Sequence, residues 1–238
     1  MYSIVMINTY NESSLHKKFK TEAAQKYGGK TEQQVGNYIC DVVTDDGTII
    51  EIQTKSFKNI CAKLEDLLKT HRVILIYPLI CETYIEYYDE QGGLVSRRKS
   101  PKKRSLYSIF DELTGIWPIL LHKNFTLNVV ETVAAKKRQK TAEAVQSVNK
   151  RRRVKKNWLS FDTELIAEGA SLSFCSKKDY LALLSESPEE FGVKEAAART
   201  GAPMSQTRKM LWTLHKMGII EKTGQEGRRF IYRIKNDI

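Results

Sequence analysis

The stretch DVVTDDGTIIEIQTKSF, residues 41–57, constrains the fold more than any other part of the chain. Two runs rich in β-branched residues flank Asp45-Asp46-Gly47, and acid-acid-glycine is turn chemistry that closes an antiparallel hairpin. A side-chain period of two then sends Glu51, Gln53 and Lys55 to one face while Ile50 and Ile52 point into a core. The next segment, KNICAKLEDLLKTH, carries a helical stripe at Ile60, Leu64, Leu67 and Leu68, and VILIYPLI after it reads as a buried strand. A hairpin, a helix and a further strand in that order make the helix a crossover that returns the chain to the same sheet.

Upstream, NESSLHKKFKTEAAQKYGG reads as a helix. Asn11 or Ser13 can cap it, Leu15, Phe19 and Ala23 form its stripe, and Gly28-Gly29 stops it. TEQQVGNYICDVV then opens the strands. Downstream, TYIEYYDEQGGLVSRRK has the form of a second hairpin turning at Gln91-Gly92-Gly93. SLYSIFDELTGIW reads as a short amphipathic helix, and residues 117–135 as further strand.

At 238 residues and 41% hydrophobic, the chain can bury a sizeable core. Its longest strongly apolar run, VILIYPLIC, is less than half of a bilayer span, and its start lacks the order of a signal peptide. The expectation is a cytoplasmic protein with no membrane contact. Cysteines 40, 61, 81 and 175 are widely spaced, without a CxxC pair, which points to buried free thiols rather than zinc or disulfides. The formal charge is +11, and 16 of the 39 lysines and arginines sit in two runs, residues 97–104 and 136–156. Such runs suit a polyanion, because each neutralised phosphate releases counterions. Residues 136–156, basic and poor in large apolar side chains, read as a linker or extended helix, within a basic connector expected over 136–175.

The last sixty residues read as helix, helix, turn, helix and hairpin, and this order resembles a winged helix-turn-helix domain. Val193, Ala196 and Ala197 give small apolar packing, Gly201 and Pro203 make the turn, and Met210, Leu211, Leu214 and Met217 seat the long helix. The resemblance implies that Ser205, Gln206, Arg208 and Lys209 face a DNA groove from that helix, with Arg228 and Arg229 on the wing.

Asp41 followed by Glu51-Ile52-Gln53, with a helix before and a helix and strand after, resembles the PD-(D/E)XK nuclease superfamily and its αβββαβ core over roughly residues 11–80. The resemblance implies Asp41 and Glu51 as ligands of Mg²⁺ or Mn²⁺, which suits hard oxygen donors and phosphodiester chemistry. It also implies a further acid from the first helix or just after it, Glu32 in preference to Glu22. The family's usual lysine falls at Gln53, which can align a water but carries no charge, and Lys55 can supply that charge from the same face. His16 and His71 read as surface or packing residues. No phosphate loop or nucleophile elbow is present in the sequence, so no nucleotide cofactor is expected.

The expected organisation is an α/β, mixed-sheet, restriction-endonuclease-like domain over residues 1–135, a connector over 136–175 and a small winged-helix α+β domain over 176–238. The expected function is a metal-dependent DNA endonuclease acting on duplex DNA in a restriction, resolvase or repair role, with homodimer formation plausible if both strands are cut. The alternatives are a non-catalytic DNA-binding regulator on a degenerate nuclease fold, and a protein whose winged helix docks a protein partner.

Overall fold

The computed structural model describes residues 12–147, 150, 152–184 and 189–235; Asn11, the alternative helix cap, lies outside them. Helix α1, Ser14–Tyr27, starts at Ser13, whose hydroxyl accepts from the His16 amide, and ends at Gly28 with φ of 66°. A left-handed residue satisfies the last helical carbonyls without the steric cost that a Cβ brings. Strands β1, Gly29–Val35, β2, Tyr38–Thr44, and β3, Ile49–Ile52, follow as an antiparallel meander. Helix α2, Cys61–Leu67, then crosses over, and β4, Val73–Tyr88, returns parallel to β3. The hairpin, crossover and return strand therefore stand in the order expected from the sequence.

Strand β5, Leu94–Lys99, hairpins back on the outer half of β4. A 3-10 turn at Leu106–Ile109 leads into the short helix α3, Phe110–Leu113, and another 3-10 turn spans Trp117–Ile119. Strand β6, Phe125–Val145, runs parallel to β4, and β7, Lys156–Phe174, runs antiparallel to β6. The sheet order is β1-β2-β3-β4-β6-β7, with β5 on β4.

Residues 136–145 and 156–174 are thus not a connector: they are strands of the same sheet as the hairpin. The lack of large apolar residues at 136–145 misled because long cationic side chains there lie against aromatic rings, Arg138 over Trp158 at 3.7 Å and Lys137 over Tyr88 at 6.0 Å, and 156–174 was joined to that stretch although Leu165 and Phe174 pack in the two apolar clusters. Such stems and rings supply strand packing that a count of aliphatic residues misses.

One apolar cluster packs α1, through Leu15, Phe19 and Ala23, against Val42, Ile50, Ile52 and Ile76. A second, on the opposite face, joins Ile49, Leu64, Leu75 and Phe110 to the C-terminal part of the chain. That part comprises α4, Lys177–Leu181, α5, Val193–Thr200, α6, Met204–Lys216, and the hairpin of β8, Ile220–Glu226, with β9, Arg229–Ile234. Covered on both sides, β3 is buried along its whole length, and Glu51 is 5% exposed. The sequence pattern of a polar face on β3 does not correspond to a wet face of the sheet.

Candidate nucleic-acid interface

The α1 side of the sheet holds an open cleft of about 820 Å³. Asp41, Glu32 and Glu12 line it with His16 and Lys20, and Lys55, Lys102, Arg104, Lys136 and Arg138 line it as well. Glu32, at φ of 54°, lies within the register of β1 and β2 at the step opposite Asp41, between the pairs Thr31–Val42 and Gln33–Cys40.

The carboxylates of the expected metal pair are held by different partners. The β2–β3 ladder stops at Val42–Ile50, one step short of Asp41 and Glu51, and the Asp41 carboxylate itself accepts the Ile52 amide at 2.8 Å. Cys40 and Val42 pack into different clusters although they are two residues apart, so strict alternation fails at Asp41. The Asp41 carboxylate consequently faces α1, where His16 Nε2 lies 3.4 Å away. Glu51 instead takes an ion pair with Lys63 of α2 at 2.7 Å, and its Oε1 is buried without a hydrogen-bond partner among the described residues. No trio of His, Cys, Asp and Glu among the described residues is grouped so that it could hold a metal ion. As they stand, Asp41 and Glu51 do not fit one divalent cation.

Gln53 lies on the far side of this break. Its amide nitrogen donates to the carbonyls of Lys55 at 2.6 Å and Ser56 at 3.5 Å, stitching the loop ahead of α2, while its backbone N–H extends the β3–β4 ladder to Ile76. Lys55 reaches the cleft. Glu22 pairs with Lys18 along α1 and does not line the cleft.

His16 is not a mere packing residue. Its Nδ1 meets Glu12 at 2.5 Å, its Nε2 donates to the Ile52 carbonyl at 2.8 Å, and Asp41 stands beside it. Burial alone would lower its pKa, but the carboxylates of Asp41 and Glu12 outweigh that and raise it to about 9, which makes it an imidazolium at neutral pH. The same contact reverses the effect of burial at Asp41, whose carboxyl is held below its ordinary value by His16 and the Ile52 amide. At Glu51 burial prevails over Lys63 and pushes the carboxyl up. Lys20 bridges Glu12 and Glu32, so every carboxylate of the cleft already has a cation.

The cations of the cleft contrast with this. Among the described residues, Lys55, Lys102, Arg104 and Lys136 have no carboxylate within ion-pair distance. Lys136 is open to solvent, and its ammonium is drawn below the usual lysine value, first by the surrounding protein and then by Arg104, Arg138, Lys102 and Lys55. Like charges held together without counter-charges form a preorganised anion site. The basic runs were visible in sequence; their meeting with Lys55 and with each other at one cleft was not.

The C-terminal candidates divide similarly. Gly201, at φ of 66°, turns α5 into α6. Ser205 and Arg208 are exposed on α6, and Gln206 is half-buried with its Oε1 unpartnered among the described residues. Lys209 is held at 2.8 Å by Asp111 of α3. On the wing, Arg228 is exposed, whereas Arg229 pairs at 3.1 Å with Glu195, the residue that also caps α5 through the Gly192 amide.

Comparison with known proteins matches two regions of the chain to family models. Residues 179–224 match the IclR helix-turn-helix domain, so the C-terminal part is a helix-turn-helix domain carrying a β-hairpin wing. An uncharacterized protein of Treponema pallidum (strain Nichols) is 32% identical over 228 residues, which cover 95% of this chain and 87% of that protein. No solved structure matches. Residues 13–175, which carry the whole sheet and the cleft, match the family described as "Domain of unknown function (DUF8091)", and the chain belongs to that family.

Proposed function

We propose that the chain is a DNA-binding protein that docks on duplex DNA through the winged helix and receives a phosphate backbone in the cleft. The observation that carries this reading is the cluster at one cleft of Lys55, Lys102, Arg104 and Lys136, without carboxylate partners among the described residues, in a chain whose C-terminal part matches a helix-turn-helix domain. Phosphate contacts of this kind position DNA without reading its sequence, and that task leaves exposed Arg208 and Ser205 free for base edges. Such a protein fits the role of a regulator on a nuclease-like fold: Glu51 is turned to Lys63 and Gln53 to the backbone, so neither is spent on chemistry.

A second reading, phosphodiester hydrolysis in the same cleft, is favoured by Asp41, Glu12 and Glu32 lining it with those cations, and by the helix, three strands, helix and strand around it. A metal-dependent endonuclease, of restriction, resolvase or repair type and dimeric if it cuts both strands, belongs to this reading.

One assay separates them: purified protein with duplex, single-stranded and branched DNA, with and without Mg²⁺ or Mn²⁺. The first reading expects binding without cutting, and loss of cleft binding by at least tenfold in Lys136→Glu. The second expects metal-dependent cutting that Asp41→Ala abolishes. Failure to bind DNA of any form would sink both.

A further inference from the structure

The apolar cluster that seats α1 reaches Ile80 on β4 and Leu165 on β7. Beyond it the same face of the sheet carries two cross-strand rows over β5, β4, β6 and β7. The pairs Arg98–Ile85, Ile85–Lys136 and Lys136–Thr163 make the first, and Ser96–Tyr87, Tyr87–Arg138 and Arg138–Ser160 make the second. Residues paired across strands share a face, as do positions two apart along a strand. Both rows therefore lie on the side where Ile85, Lys136, Arg138 and Thr163 line the cleft, and Arg98 and Tyr87 extend that surface outward.

The two faces of this part of the sheet treat charge differently. On the opposite face Arg97 pairs with Glu86 at 3.5 Å, Lys137 with Glu164 at 2.6 Å, and Lys99 with Glu82. The two rows hold no acid, and among the described residues Arg98, Lys136 and Arg138 have no carboxylate within ion-pair distance. Beside these cations stand the hydroxyls of Ser96, Ser160 and Thr163, side chains of the kind that bond phosphate and sugar oxygens. Arg138 donates to the Tyr87 hydroxyl at 3.0 Å and lies 3.7 Å over Trp158, with Arg152 4.0 Å from the same indole. Trp158 is thus spent on positioning arginines. Tyr87, half-buried with the Arg138 guanidinium 5.6 Å from its ring centre, is the ring that a base can meet.

Cations without counter-charges call for an anion, and a ring set among them narrows it to a nucleic acid with open bases. In a duplex the base faces are stacked on one another, whereas an unpaired strand offers them to aromatic rings of a sheet while its phosphates follow the cations. The winged helix stands across the sheet, in one cluster with Leu75, Leu79 and Val129, so a duplex on α6 lies on the other side from the rows. We propose that the cleft-side face of β5, β4, β6 and β7 binds an unpaired DNA strand, whose phosphates meet Arg98, Lys136 and Arg138 and one of whose bases stacks on Tyr87. This mode rests on the reading above in taking the cleft as a phosphate site, and it adds which form of DNA lies there.

The test uses the full chain with Tyr87→Leu and Arg98→Gln, beside Lys136→Glu as the cleft variant. Binding of a labelled oligothymidine of about 20 nucleotides, longer than the roughly 4–16 that one single-strand module covers, and of a blunt DNA duplex is followed by fluorescence anisotropy across a salt series. Tyr87→Leu should weaken oligothymidine binding about fivefold or more, the loss of one stacked base, and Tyr87→Phe, which keeps the ring, should hold it. Arg98→Gln, on an exposed strand where a folding defect is not expected, should lower the slope of log affinity against log salt by about 0.7, one phosphate contact on a single strand. Both sites are remote from the winged helix, so duplex affinity should stay within about threefold of wild type. If Tyr87→Leu and Arg98→Gln leave oligothymidine binding unchanged while Lys136→Glu loses it, the sheet face is overturned and the cleft stands. Equal losses on duplex and oligothymidine overturn the preference for an unpaired strand. A wild-type chain that binds the duplex but no oligothymidine sinks the single-strand face alone, and one that binds neither sinks the general reading with it.

Discussion

His16 shows how a single side chain sets the electrostatics of the cleft. Bound between Asp41 and Glu12 and raised to about 9, it holds a proton in the folded chain that an unfolded histidine, at 6.5, gives up near neutrality. The stabilisation is therefore complete below pH 6.5 and is lost as pH rises through about 9, amounting to at most about 3 kcal/mol. Urea unfolding at pH 6, 7.5 and 9, in the metal-free protein, should show wild type losing stability across this window and His16→Asn changing much less. Cys40, pushed up to about 11 by burial, adds a loss of the same sign only as pH reaches and passes 9, so the two are separable. A wild-type curve that is flat between pH 6 and 9 would refute the assignment of an imidazolium at this place.

At the level of elements, what reads out of the sequence is what local chemistry decides. Ser13 caps α1, Gly28 ends it, Gly201 turns α5 into α6, and Gly218, at φ of 70°, ends α6, each as its residue type requires. The adjacent glycines at 28 and 29 do different jobs. Gly28 needs its left-handed backbone and has open space around it, whereas a Cβ on Gly29 would lie 2.5 Å from Val42 Cγ1 and 3.0 Å from the Val43 carbonyl oxygen. Gly28→Ala should cost about 1 kcal/mol by backbone strain, and Gly29→Ala about 1–3 kcal/mol by overpacking β1 against β2. Denaturant midpoints will rank them, and a neutral Gly29→Ala would show that β1 can move aside. Less legible were features set by partners distant in sequence. His16 and Asp41 meet only after β2 folds beneath α1. The separate partners of Asp41 and Glu51 follow from one broken alternation at Asp41, which composition does not reveal. The strand at 136–145 was hidden because its packing comes from cations against Tyr87, Tyr88 and Trp158 rather than from aliphatic side chains, and 156–174, which packs Leu165 and Phe174 in the core, was hidden with it.

For the molecule as a whole, the two matched regions share one core. Phe110, Leu113 and Ile116 stand in the same buried cluster as Phe191, Met210, Leu211 and Leu214 of the helix-turn-helix. At the surface of that junction Trp117 and Trp212 meet edge to face at 6.5 Å, Lys216 lies over both rings, and Asp111 holds Lys209. The helix-turn-helix therefore packs on the face opposite α1, away from the cleft, through aliphatic contacts that a flexible tether would not need. Domains joined by a continuous apolar core unfold together, whereas tethered domains unfold in separate steps. Leu113, fully buried in α3, tests this: Leu113→Ala should destabilise the chain by about 2–5 kcal/mol, the usual loss for a large-to-small change in a core. Tryptophan fluorescence reports Trp117 and Trp212 at the junction together with Trp158 on β7, and far-ultraviolet circular dichroism reports the sheet and helices of both parts. In wild type the two signals should change at one midpoint, and in Leu113→Ala both should shift down by the same amount. Asp111→Ala, which removes only a surface ion pair, should shift the midpoint by less than about 1 kcal/mol and free Lys209, so DNA affinity should rise or hold rather than fall. Two resolved transitions in wild type, with only the first moved by Leu113→Ala, would mean that the core is not shared and that the winged helix moves independently of the cleft.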